Sequence, residues 1–184
     1  MRPIERSELV DYQTYEDSRA ETRPRALAAK KARRIHVGDH LTFLFENRET
    51  IRYQVQEMMR VEKIVREAEI QHELDTYNEL LHDDGSLGAS LLIGIDDEDE
   101  RNVKLREWLG LPSTLYAKLE DGTLVRPEFD PRQVGDDRLS SVQYLKFPLG
   151  GQTPVALGAD HENLTVEVAL TDAQRAALSA DLED

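Results

Sequence analysis

Apolar positions along this chain follow two rhythms. From Leu41 they alternate, with Leu41, Phe43 and Phe45 on one side and Thr42, Leu44 and Glu46 on the other, the signature of a strand with one buried face. This strand is expected to run from Ile35 to Glu46, with a turn or bulge at Val37-Gly38-Asp39-His40. Asn47 then suits a helix N-cap, and Glu49 puts an acid in the first helical turn. Spacing predicts a helix to about Arg66, with Ile51, Val55, Met58 and Val65 in one stripe and Tyr53, Val61 and Ile64 on the opposite flank. Ile70, Leu74, Tyr77 and Leu81 recur at helical spacing and predict a second helix over 68–81. Neither Gly nor Pro marks the join at Arg66-Glu67, which leaves one bent rod or a tight hairpin.

The same reading covers the rest of the chain. Ser7 opens a short capped turn, and residues 15–34 favour a helix that kinks or restarts at Pro24. Residues 87–95 form a dense apolar strand, followed by a helix over 97–109 capped by Asp96 and stopped by Gly110 and Pro112. Residues 115–129 read as a hairpin turned at Asp121-Gly122, residues 130–138 as a loop, and 141–149 and 164–170 as two further strands. Thr171-Asp172 caps a closing helix over 173–182 that rests on Ala177 and Leu178. The sum is an α+β single domain over residues 1–184. It is expected to have a mostly antiparallel sheet of about six strands, with four to five helices packed mainly on one face.

Charge changes this picture at one end. The net charge is −14, yet residues 1–34 carry nine Lys or Arg against six Asp or Glu, which leaves +3 there and −17 in the remainder. A basic N-terminal helical arm over 1–34 therefore precedes an acidic body over 35–184, which argues against nucleic acid or an anionic membrane as partner. Lys30, Lys31, Arg33 and Arg34 have no interleaved aromatic residues and read as a solvated helix end. With no cysteine, disulfides, thiolate metal sites, cysteine-held iron–sulfur clusters and cysteine nucleophiles are excluded. No apolar run reaches the ~20 residues needed to cross a bilayer, and MRPIERSELVD has no apolar signal core, so a cytoplasmic location is expected.

Candidate chemistry gathers at the strand–helix corner, where Glu46, Asn47, Arg48, Arg52, Gln56 and Glu57 fall close together. Arg48, Arg52 and Gln56 are four apart and share one helix flank. Arginine forks near a helix N-terminus suit a carboxylate or phosphate, so the corner is a candidate ligand or partner site; it also suits a network tying strand to helix. Glu69 and His72, spaced for one helical face, are weak candidates for a metal, and Glu79 and His82 repeat the spacing. His36, His40 and His161 are candidate bases, although Asp160 and Glu162 beside His161 would point to the other face of a strand. No nucleophile elbow, phosphate loop or dinucleotide fingerprint is present, and no cofactor is implied.

The blocks LFENRETIRYQVQEMMRVEKI, HELDTYNELL and LGASLLIGI, with KKARRIHVG before them and SSVQYLKFPL and LTDAQRAALSADL after, resemble a bacterial family known as a domain of unknown function. The resemblance spans nearly the whole chain. It supplies no established catalytic residues, but draws attention to Glu46, Asn47, Arg48, Tyr53, Gln56, Glu57 and Met58, and to Glu73, Asp75, Tyr77 and Asn78. Genes of that family often sit near rubrerythrin-like proteins and an iron–sulfur oxidoreductase. The resemblance thus implies a non-catalytic accessory role in peroxide or redox metabolism, with one of those proteins as partner. Two alternatives stand beside it: an anion-binding enzyme or sensor at the Glu46–Glu57 corner, and a metalloprotein using Glu69 and His72. Self-association into a homo-oligomer is left open.

Overall fold

The computed structural model describes residues 1–184. The chain runs α1 (Tyr12–Arg33), β1 (Arg34–Val37), β2 (Leu41–Phe45), α2 (Arg48–Glu62), α3 (Glu67–Asn78), β3 (Leu87–Ile93), α4 (Glu98–Glu107), α5 (Leu111–Thr114), β4 (Leu115–Lys118), β5 (Leu124–Val125), β6 (Val142–Phe147), β7 (Ala156–His161), β8 (Leu164–Ala169) and α6 (Asp172–Glu183). This is an α+β fold. The strands form two antiparallel sheets, ordered β1-β2-β3-β6 and β5-β4-β7-β8, in place of the single sheet of about six strands expected. Strand alternation is realised in β2, whose Leu41, Phe43 and Phe45 are buried. Phe43 and Phe45 meet Phe147 of β6 at ring-centroid distances of 6.2 and 5.8 Å, the separation at which aromatic pairs add to simple area burial. One cluster of 35 buried apolar residues takes side chains from both sheets, so a single core unites them.

The turn between β1 and β2 requires Gly38, whose φ of +63° is left-handed and which lies against Val166 of β8. The strand expected over 35–46 is therefore a hairpin. The hairpin expected at Asp121-Gly122 forms, with Gly122 at φ +88° and Leu119 N–H donating to the Thr123 carbonyl. No helix is long and apolar enough to cross a membrane.

The helices depart from expectation in phase more than in place. α1 continues through Pro24 because that stretch faces solvent, where the carbonyl left without a helical partner is open to water. The N-terminal arm is packed, not free: Tyr15, Ala26 and Arg33 of α1 are buried, and α1 lies along α2. Its opening turn is closed by Glu8 accepting from Glu5 N–H, and Ser7 caps nothing. In α2 the buried stripe is Ile51, Val55 and Met59, not Met58 and Val65. α2 stops at Glu62, so Val65 falls outside it and is exposed, as is Val61. Lys63 adopts the left-handed conformation at φ 54° and passes its N–H to Met59. The two helices are thus separate, and the break is made without glycine.

Candidate functional site

The inner face of the first sheet belongs to the core; the outer face is only partly covered. Pairing aligns Arg34, Leu44, Ser90 and Tyr144 in one row across the four strands, and His36, Thr42, Leu92 and Val142 in the next. Side chains alternate, so both rows stand on the outer face. Beyond β2 the outer face continues, in phase with Thr42 and Leu44, at Glu46, whose N–H donates to the carbonyl of Gly88. The turn after α3 passes over β3 here: a Cβ on Gly88 would lie 2.1 Å from the Leu80 carbonyl oxygen, so only glycine lets Leu80 seat on the sheet.

The result is a groove. Its middle, about 180 Å³, has Leu44, Ser90 and Leu92 as floor and Lys30, Gln54 and Tyr77 among its walls. Past Tyr77, Leu80 and Tyr144 it widens into a depression of about 420 Å³ that reaches His82, Phe129 and Lys146. At the other end it shares Lys30 with a basic recess of about 320 Å³ formed by Leu27, Lys31, Arg34 and His36.

Glu46 stands at the head of the middle section, only 8% exposed. Ser90 Oγ donates to Glu46 Oε1 over a long 3.4 Å, and no ion pair reaches the carboxyl. The Thr50 hydroxyl also lies near the carboxyl, and Glu46 lines the groove. Burial pushes the Glu46 carboxyl above its usual range, against weaker pulls from the Thr50 hydroxyl, Lys30, Ser90 and Arg33. A carboxyl held toward its neutral form can donate as well as accept a proton. His82 is its counterpart in the wide section. Its Nε2 is buried without a partner, and burial, aided by Lys146, pushes the imidazole pKa down.

The other corner residues turn away from this groove. Asn47 caps α2 by accepting from Thr50 N–H at 3.0 Å and donates to Asp181 at 3.1 Å. Asp181, on α6, also takes both arms of Arg33 at 2.6 and 2.7 Å, a buried pair absent from the sequence reading. Arg48 binds both oxygens of Glu8 and the carbonyls of Arg2 and Pro3. Gln56 accepts from and donates to the backbone of Val10. Glu57 accepts from Tyr15, Arg19 and Arg60. Arg52 pairs with Glu49 at 2.7 Å and, with Gln56, lines a shallow groove of about 270 Å³ between α1 and α2. Arg48, Gln56 and Glu57 are therefore ties that fasten the N-terminal segment to α2, and they converge on no common opening.

Glu69 and His72 lie together beside Glu62 and Glu73, but nowhere in the chain do three or more His, Asp or Glu side chains form a group able to hold a metal. His161 is buried with Nδ1 accepting from Asn163 N–H, while Asp160 pairs with Arg126. His36 Nδ1 meets Thr42 Oγ1 at 2.9 Å, and His40 packs on Trp108. The basic cluster at the end of α1 divides: Arg33 goes inward to Asp181, while Lys30, Lys31 and Arg34 edge the groove. Sequence reasoning missed Lys30, Ser90, Tyr144 and His82 as parts of one site, because strand pairing joins Ser90 to Tyr144 and only tertiary packing adds α1 and the segment after α3.

A family model described as "Protein of unknown function (DUF3501)" matches residues 3–182. No curated protein matches the chain. Among solved structures, the chain is similar to a novel protein of unknown function from Burkholderia pseudomallei K96243, whose crystal structure was determined at 1.90 Å resolution. The two are 31% identical, the match covers 98% of this chain and 99% of the other, and the TM-score is 0.87.

Proposed function

We propose that this chain, which belongs to the DUF3501 family of proteins of unknown function, binds a small, largely apolar molecule in the groove on the outer face of its first sheet. Glu46 would meet a polar group of that molecule. One observation carries this reading: a carboxyl nine-tenths buried, with only the Ser90 and Thr50 hydroxyls acting on it and no ion pair, lining an open groove. Burying a carboxyl without an ion pair is costly. At a purely structural position that cost is met by a partner, as it is for Glu57 and Asp181 nearby. Concave shape, apolar floor and a few convergent polar groups are the usual make-up of a small-molecule site.

As the setting for this activity we retain the redox neighbourhood implied by the family resemblance, with a rubrerythrin-like or iron–sulfur protein as the partner served. The groove itself names no such partner.

The test uses neutral probes. Titrating octanol or indole into isotope-labelled protein is expected to shift the amides of Leu44, Ser90, Leu92 and Tyr144, with Kd on the order of 0.1–1 mM for molecules of that size. Leu92→Trp, which fills the floor, should abolish the shifts and leave the rest of the spectrum in place. Absence of any shift at millimolar probe, or shifts confined to the α1–α2 corner, would refute the proposal.

A further inference from the structure

The rows that cross the first sheet change character from edge to edge. At β1 they begin with Arg34 and His36; at β2 and β3 they pass through Leu44, Thr42, Ser90 and Leu92; at β6 they end on Tyr144 and Val142. Three strand spacings of ~4.8 Å set the cationic edge about 14 Å from the tyrosine edge. Lys30 belongs both to the basic recess and to the apolar groove, so the two adjoin at its side chain.

The cations of this recess are unusual for the chain they sit in. The protein carries 37 Asp and Glu against 23 Lys and Arg, and most of its arginines are held by carboxylates. Lys31 and Arg34 reach no carboxylate, and neither side chain makes a hydrogen bond. Lys30 meets only the amide oxygen of Gln54 at 3.3 Å and the ring of Tyr53 at 5.0 Å, both neutral. The His36 ring spends Nδ1 on Thr42 and keeps Nε2 free. Four nitrogen-bearing side chains thus converge on one recess with no carboxylate paired to any of them, in a molecule with carboxylates to spare. Because the net charge of −14 repels anions at a distance, a preference for anions here would come from the recess alone.

We infer that the ligand of the groove is an amphipathic anion. Its carboxylate or phosphate would be held by Lys30, Lys31, Arg34 and His36, and its apolar body would lie across Leu44 and Leu92 toward Tyr144. This inference rests on the groove being a binding site and adds the class of molecule it takes. Arginine and lysine at a recess rim suit either oxyanion, and the apolar rows supply the body contact that a bare ion cannot use.

Calorimetry with octanoate, octanol and inorganic phosphate separates the two levels of the argument. Octanoate is expected to bind about tenfold more tightly than octanol, the worth of one or two charge-assisted hydrogen bonds at a partly exposed site. The Lys31→Gln/Arg34→Gln double variant should bring octanoate down to the octanol value and leave octanol unchanged. Added salt should act in the same direction. Octanol binding with no octanoate preference would overturn the anionic head group while leaving the groove intact. Failure of both to bind would overturn the groove as well. Inorganic phosphate binding as tightly as octanoate would refute the amphipathic ligand in favour of a bare anion site. Self-association abolished by Leu92→Lys, and competed by octanol, would make the face a contact between copies of the chain and would also overturn the inference.

Discussion

Replacing Glu57 by Gln removes one charge at nearly constant shape. The carboxylate accepts from Tyr15 at 2.7 Å and from Arg19 at 2.7 and 3.1 Å, two side chains that fasten α1 to α2, and from Arg60 of α2 itself at 3.2 Å. Burial alone would raise this carboxyl, but Arg19, Tyr15 and Arg60 override it and hold the group at about 2, against an ordinary 4.5. At ~1.36 kcal/mol per pK unit the depression would be worth ~3 kcal/mol unscreened. The Glu57 side chain is 16% exposed and that of Arg19 29%, so solvent weakens the pair and about half, ~1.5 kcal/mol, is a fair expectation.

The sign follows from which state holds the proton. With its pKa lower in the folded state, Glu57 is ionised there when the unfolded chain has already taken up a proton. Its contribution is therefore complete above pH 4.5 and is lost as pH falls toward about 2. Urea unfolding checks this. At pH 7 Glu57→Gln should lower the midpoint by about 0.7 M, for a slope of ~2 kcal/mol/M. The gap should narrow at pH 3 and close near pH 2. Equal midpoints at pH 7, or a gap that persists at pH 2, would refute the assignment of the charge as the tie. Loss of octanol binding in this variant without loss of stability would instead return Glu57 to the ligand site.

Two further outcomes follow from the same geometry. Asp181→Ala leaves Arg33 buried without its carboxylate and should cost ~3 kcal/mol in chemical denaturation, whereas Arg33→Met with Asp181→Leu should recover most of that loss. Glu46→Gln should match the wild type at pH 4 and exceed it in stability at pH 8. The folded wild type keeps a proton that the unfolded chain gives up, so it loses stability as pH rises above 4.5, and Gln has no proton to lose. A thermal-melt series over that range decides it: a wild type as stable as the variant at pH 8 would show that Glu46 titrates normally.

The α+β class and the corner were legible because β2 alternates cleanly and Asn47 is a strong N-cap. β7 was not. Its sequence ALGADH is poor in β-branched residues, and Gly158 interrupts it. That glycine is required, because a Cβ there would stand 2.5 Å from the Tyr116 ring and 2.6 Å from the Val166 carbonyl oxygen. Nor could local pattern reveal two sheets. Alternation says which face of a strand is buried, but not that Leu91 pairs with Gln143, some fifty residues on. The phase of α2 failed for a related reason. Met58 and Met59 are equally apolar, and only packing selects Met59 for the core.

The polar density of the corner was real, and its meaning is mechanical. A helix turns its residues around an axis while a strand sends alternate residues to opposite faces. Residues contiguous in sequence at a strand–helix junction must therefore part company. Arg48, Gln56 and Glu57 go to the N-terminal segment and α1, and Asn47 goes to α6. A junction that gathers three separate pieces of chain needs several polar ties, and their number reports that need, not a ligand. Glu46 is the exception by position. As the last alternating residue of the strand, in phase with Thr42 and Leu44, it emerges on the outer face, where the row opposite offers Gly88, which has no side chain to answer it. Its lack of an ion-pair partner sets it apart from its neighbours. That absence became visible only once the strands were paired.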